Sequence, residues 1–199
     1  MNTQRGFTIL ELMTVVAVLG ILLAIGVPSF RTLLADNRIV SQLNQFSSTL
    51  ALARSEAVKA NRRVVVCPST DGASCASGVD WDVGWISFID RGGVDFQVDD
   101  DGGGNPADDP CGPDAGDDAA DDCILDYVQA LTPPTQTLRS NAANEYISYN
   151  GLGASSEAAM FVLCDDRGDA SARAVVISNT GRVSVREAQN DGSPLSCSP

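Results

Sequence analysis

Residues 7–27 read FTILELMTVVAVLGILLAIGV, 21 positions with a single charge, Glu11. At about 1.5 Å per residue such a helix is about 30 Å long, the thickness of a bilayer's hydrocarbon core. A secretory signal has a shorter apolar stretch and a small-residue cleavage site behind it. Here the run is longer, Pro28 follows it, and Ala24 and Gly26 make a poor cleavage signal. The reading is a retained membrane helix. Arg5 precedes the run and the bulk of the chain follows, which puts the amino terminus in the cytoplasm and residues from about 30 onward outside. Glu11 is the anomaly: a carboxylate near a helix end in lipid costs roughly 2 kcal/mol, and such residues mark a partner or a function. Snorkelling to the interface is the plain alternative, and a cationic partner is the sharper one.

Beyond Pro28 the apolar positions Ile39, Leu43, Phe46, Leu50, Ala53 and Ala57 recur at alternating intervals of four and three, with Arg38, Gln45, Arg54 and Lys59 mostly on other faces. This predicts an amphipathic continuation of the same helix to about Lys59, kinked rather than ended by Pro28. From Arg62 the period changes to two. The runs RRVVVC, WISFID, ILDYVQ, EYISYN, MFVLCD, RAVVIS and RVSVR are separated by Gly, Asn, Asp and Pro clusters. The predicted fold is α+β: a long amino-terminal helix, membrane half plus amphipathic half, packed on a mostly antiparallel β domain of six or seven strands. Asn179-Thr180-Gly181 predicts a tight hairpin between the last two runs. Trp81, Trp85 and Phe88 are assigned to the core.

The chain of 199 residues has 26 acids against 13 Lys+Arg, a formal charge of −13, and no histidine. Without histidine there is no Ser/His/Asp or Cys/His nucleophile pair and no usual proton shuttle. The charge is local. Residues 90–122 hold twelve Asp and one Arg, which leaves 14 acids against 12 bases elsewhere. A nearly neutral body therefore carries one acidic insertion, residues 91–122, too rich in Gly and Pro to bury a core. Two readings of it stay open. One is a solvated loop extended by its own repulsion. The other is a calcium loop: counting from Gln97, Asp99 falls at position three, Asp101 at five, Gly102 at six and Asp108 at twelve, though position one lacks an acid. A carboxylate-based hydrolase is set aside, since paired acids need rigid placement and a glycine-rich loop does not supply it.

Six cysteines permit fifteen pairings. Local spacing favours Cys67 with Cys75, Cys111 with Cys123, and Cys164 with Cys197. Structural disulfides in an oxidising compartment are preferred over a metal or redox site, as there is no CxxC and no histidine.

The string Gly6-Phe7-Thr8-Ile9-Leu10-Glu11, with a leader ending in Arg5-Gly6 and Pro28 behind the apolar run, resembles the class III signal of type IV pilins and type II secretion pseudopilins. The resemblance implies that residues 1–6 are a leader, that a prepilin peptidase cuts after Gly6 and methylates the new amine on Phe7, and that residues 7–28 are the membrane and assembly helix. It implies that Glu11 neutralises the amino terminus of a neighbouring subunit, the cationic partner that the burial argument demands. A helix running from Phe7 to about Lys59 is about 80 Å long, so lipid would cover half of it before assembly and other pilins afterwards.

Residues 47–69 (SSTLALARSEAVKANRRVVVCPS), Trp81-Asp82-Val83-Gly84-Trp85-Ile86 and Asn179-Thr180-Gly181-Arg182-Val183 are similar to the GspH/FimT/FimU type of minor pilin or pseudopilin. That implies a structural protein and not an enzyme, with residues 29–61 as the amphipathic half of the helix and 62–199 as a periplasmic β domain anchored to the bacterial inner membrane. It implies no required cofactor. In the FimT part of the group a Gly-Arg-x-Arg motif contacts DNA during uptake. Here the positions read Gly181-Arg182-Val183-Ser184, with Arg186 two further on and on the same strand face. Binding of nucleic acid is thus the alternative function, resting on Arg182 and Arg186.

Overall fold

A computed structural model describes residues 8–90, 122–132, 136–141, 145–189 and 192–197. The chain separates into two compact units, Met1–Arg38 and Ile39–Pro199. One helix, α1 (Ile9–Ala60, 52 residues), supplies the described part of the first unit and opens the second.

In the first unit residues 8–34 are all exposed. By length and composition α1 is apolar enough to cross a membrane, and none of that stretch is buried. α1 continues through Pro28. Around the proline, the hydroxyl of Ser29 donates to the Ile25 carbonyl at 3.3 Å and that of Thr32 to the Pro28 carbonyl at 3.2 Å, so both side chains spend their polarity inside the helix.

In the second unit α1 buries Ile39, Leu43, Phe46, Thr49, Leu50, Ala53 and Ala57. The six apolar positions are those of the four-and-three spacing; Thr49 joins them one turn after Phe46. The helix stops because Asn61 takes a left-handed conformation, φ 50°. The Arg62 N–H then donates to the Ala57 carbonyl at 3.2 Å and the Asn61 N–H to Val58 at 3.4 Å, the paired bonds of a Schellman cap.

Eight strands follow among the described residues: β1 (Arg63–Pro68), β2 (Gly84–Asp90), β3 (Cys123–Gln129), β4 (Thr137–Ser140), β5 (Ile147–Tyr149), β6 (Ala159–Cys164), β7 (Arg173–Ile177) and β8 (Val183–Arg186). They form two four-stranded sheets, ordered β3-β2-β1-β5 and β4-β6-β7-β8, with every pairing antiparallel. Seven strands lie in the seven runs of the sequence pattern. The eighth, β4, has one buried apolar residue, Leu138, in four positions. A period of two is not legible at that length, and pairing with β6, Leu138 opposite Leu163, defines the strand instead.

A single core joins the buried stripe of α1 to the inner faces of both sheets. Phe46 sits at its centre, its ring 5.5 Å from Trp81, 5.0 Å from Trp85 and 4.8 Å from Phe161, all edge to face. Trp81 and Trp85 are therefore core residues. Phe88 is also fully buried, but strand alternation sends it to the opposite face of its sheet, where it packs with Val65, Cys67 and Ile86. One polar chain crosses the helix–sheet contact: the Trp85 indole N–H donates to the Thr49 hydroxyl at 3.2 Å, which lies 2.8 Å from the Asp126 carboxylate.

Candidate functional site

Two places concentrate residues whose chemistry packing does not explain. The first is the start of α1. Thr8 precedes the helix, and its hydroxyl accepts the Glu11 N–H at 3.2 Å while its carbonyl accepts the Leu12 N–H at 3.1 Å. Thr8 is thus the N-cap and Glu11 the third helical residue, the spacing of a capping box. Glu11 also lies in the first turn, where the helix dipole favours an anion. The pattern Thr-x-x-Glu was present in the sequence, yet the apolar run draws attention to the charge of Glu11 rather than to its position in a cap. Gly6 and Phe7 lie outside the described residues.

The second place is a corner where the last turns of α1 meet two turns of the β domain. The Arg54 guanidinium reaches from the helix to both: its Nε donates to the Gly153 carbonyl at 2.8 Å and its Nη2 to the Thr180 carbonyl at 3.0 Å. The two turns touch, since a Cβ on Gly181 would lie 2.0 Å from the Gly153 carbonyl oxygen, and Gly181 has φ 75°. Only glycine fits there, for space and for conformation. The expected hairpin is formed by the Ser178 N–H on the Arg182 carbonyl at 3.0 Å and the Gly181 N–H on Ser178 at 2.7 Å. Arg54 gives no sequence signal beyond being a base on a helix, because its partners are backbone carbonyls 99 and 126 residues away.

From that hairpin β8 runs along the edge of its sheet. Val183 packs against the core, so Arg182, Ser184 and Arg186 share the opposite face. Arg182 and Arg186 are both exposed. The structure thus brings these two residues to one face, with Ser184 between them.

Among the described residues two disulfides have both cysteines placed: Cys67–Cys75, Cα atoms 5.6 Å apart, and Cys164–Cys197, 5.8 Å apart. Inside the first loop Asp71 accepts the Ala73 and Ser74 N–H groups, both at 2.9 Å, and the Ser74 hydroxyl at 2.7 Å. The Ala73 N–H foremost, then the two Ser74 groups, hold its carboxyl well below the usual carboxylate range. At the second bridge the Cys197 N–H donates to Asp169 at 2.7 Å, and Leu195 is buried against Ala172 and Ala174. The Cys111–Cys123 pairing involves Cys111, outside the described residues. Asp99, Asp101 and Asp108, the calcium candidates, lie outside them too. Among the described residues no group of three or more His, Cys, Asp or Glu is placed to hold a metal.

The family described as Type II transport protein GspH matches residues 42–181, and the prokaryotic N-terminal methylation motif matches residues 1–27. A fimbrial protein of Moraxella nonliquefaciens is 35% identical over 80 residues, covering 40% of this chain and 49% of the relative. Pilin-like protein PilA1 of Thermus thermophilus is 36% identical over 93 residues, covering 45% and 50%. The chain thus spans half or less of these curated relatives. In three dimensions it is similar to the type IV minor pilin FimU of Pseudomonas aeruginosa in two crystal forms. The TM-scores are 0.52 and 0.50 at 21% identity, covering 81% and 79% of this chain and 96% and 98% of FimU, which establishes the fold. With the GspH match spanning more than half of its length, the chain belongs to the GspH family of pilin-like structural proteins.

Proposed function

We propose that this chain is a low-copy minor pilin or pseudopilin that enters a type IV pilus or a type II secretion pseudopilus through α1. The observation that carries the reading is the first half of α1: residues 8–34 are exposed, predominantly apolar before Pro28, and hold one carboxylate, Glu11, in the first turn. An apolar helix surface of that extent is stable only against lipid or against other helices. Lipid of the inner membrane takes the role first, with the amino terminus cytoplasmic and residues 62–199 periplasmic. A prepilin peptidase then cuts after Gly6 and methylates Phe7, and neighbouring pilins replace the lipid. Glu11 meets the methylated amine of a neighbour, a pair that water-free surroundings strengthen. The role is structural, not catalytic. The acidic insertion favours low copy number, since neighbouring segments of eleven Asp and one Arg would repel along a repeating shaft.

The capping geometry supplies a clean test. Glu11→Gln and Glu11→Ala both remove the charge and both keep the backbone N–H that the Thr8 hydroxyl accepts, so the N-cap survives in each. Both variants are expected to fall about tenfold in sheared filaments relative to the membrane fraction, about 1.4 kcal/mol of lost pairing. Wild-type incorporation of Glu11→Gln rejects the charge pairing.

One observation favours a second reading, DNA binding for uptake: Arg182 and Arg186 share an exposed face of an edge strand. It predicts a mobility shift of duplex DNA by the purified chain at low salt, weakened several-fold by Arg182→Ala and lost as salt rises. No shift at low salt rejects it.

A further inference from the structure

On the face of their sheet that turns away from α1, β4 and β6 set unlike residues side by side. Leu138 on β4 and Phe161 and Leu163 on β6 belong to the core, so alternation sends Thr137, Arg139 and, one residue past the strand, Asn141 to the other face, with Val162 and Cys164 next to them. The register places Thr137 opposite Cys164 and Arg139 opposite Val162. Together with Asp80 and the Cys197 segment, these residues line a cavity of about 370 Å³. That volume lies near the lower end of the range for ligand pockets, about 300–1,000 Å³.

The walls are fixed. The Cys164–Cys197 bridge closes one side, and the Cys197 N–H donates to Asp169 at 2.7 Å. The Asn141 side-chain oxygen accepts the Met160 N–H at 2.7 Å, which orients the amide and leaves its NH₂ group as a donor. Arg139 donates from Nε to Asp80 at 3.1 Å and, at 3.5 Å, from Nη1 to the Cys197 carbonyl. Among the described residues those are its only hydrogen bonds, so its Nη2 group is unused, and the Thr137 hydroxyl has no partner either. A polar row of donors on β4, with the Asp80 carboxylate beside it, thus runs along an apolar row made of Val162 and the disulfide.

The charges of the cavity balance. Arg139 and Asp80 form an ion pair whose side chains are 36% and 51% exposed. An anion bound there would face Asp80 and a cation would face Arg139, so a charged ligand loses part of what it gains. A peptide adds most readily to a sheet edge, where backbone groups are open, whereas this cavity lies on a sheet face. An uncharged ligand whose hydroxyls both give and accept hydrogen bonds suits the polar row, and the C–H face of a sugar ring suits the apolar one.

We propose that this cavity binds a mono- or disaccharide, its hydroxyls held by Thr137, Arg139, Asn141 and Asp80 and a ring face lying on Val162 and the disulfide. The proposal goes beyond the filament role and does not depend on it.

The test titrates the full chain, in a phosphocholine detergent that carries no sugar headgroup, with methyl glucoside, methyl galactoside, methyl mannoside and N-acetylglucosamine. Glutarate and acetyl-trialanine amide serve as anionic and peptide controls, and backbone amide NMR signals report binding. At least one of the sugars is expected to saturate in the millimolar range, with shifts confined to residues 137–141, 160–164 and 195–197. Thr137→Val keeps the branched side chain, and Arg139→Lys keeps the charge beside Asp80. Each should weaken binding about fivefold at an unchanged melting temperature, the effect of one lost hydrogen bond. Absence of saturation with every sugar overturns the proposal. So does tighter binding of glutarate or of the peptide amide, or wild-type sugar affinity in both variants.

Discussion

Phe46→Ala is expected to lower the unfolding free energy of the β domain by about 4 kcal/mol, the upper part of the range for a buried phenylalanine. The ring is completely buried and meets Trp81, Trp85 and Phe161 within 5.5 Å. Its three neighbours come from the segment before β2, from β2 itself and from β6, so they are held by two separate sheets. A cavity between elements fixed in that way cannot collapse, and the cost of the void adds to the lost transfer energy. The edge-to-face contacts contribute roughly 1 kcal/mol each beyond their area, although they are not additive. Against a typical total of about 5–15 kcal/mol the loss is large enough to populate the unfolded domain. Denaturant titration of the full chain in detergent, followed by tryptophan fluorescence, measures it directly, because both tryptophans of the chain touch Phe46. Phe46→Leu should lose roughly half as much. A loss below about 1 kcal/mol for the alanine variant would mean that the site closes up, contrary to the two-sheet argument.

Arg63→Ala should cost about 3–5 kcal/mol, for an electrostatic reason. Arg63 and Asp90 face each other across the β1–β2 pairing. The Arg63 Nε donates to the Asp90 carboxylate at 2.6 Å, and Nη2 makes a second contact to the same oxygen. The Asp90 side chain is only 4% exposed. Removing the guanidinium therefore strands a carboxylate that water cannot reach. Replacing both residues, Arg63→Met with Asp90→Leu, should recover most of the loss, since an apolar pair of similar volume needs no countercharge. A denaturant double-mutant cycle separates the two outcomes, and the single-variant loss should persist in high salt because a buried pair is poorly screened. If the double variant is as unstable as Arg63→Ala, stranded charge is not the cause. The location gives the pair further weight. Asp90 is the last residue of β2 before the acidic insertion, so this bond closes the strand end from which that segment departs.

The buried stripe of α1 was legible because a helix with one covered face must repeat apolar residues every three or four positions. Six of its seven buried positions follow that rule. Thr49 did not, since its place in the core depends on Trp85 and Asp126, which are far away in sequence. The same contrast separates the strands. Seven announce themselves by composition, whereas β4 is a strand only because β6 lies beside it. At the candidate sites the amino-terminal methylation motif, Glu11 and the hairpin at Gly181 were visible as local patterns. The Arg54 clamp was not, because backbone carbonyls carry no sequence signature.

Sequence by itself determined that this chain carries an exposed apolar helix with one carboxylate, an amphipathic continuation and an antiparallel β domain. Each of these follows from the period of apolar residues along one segment. It also located nearly all of the excess negative charge in residues 90–122, a matter of counting. Tertiary structure decided which face of the last hairpin arm carries Arg182 and Arg186, and why position 181 admits only glycine. Those features arise from contacts between elements distant along the chain, and their geometry exists only once both sheets have closed on the helix.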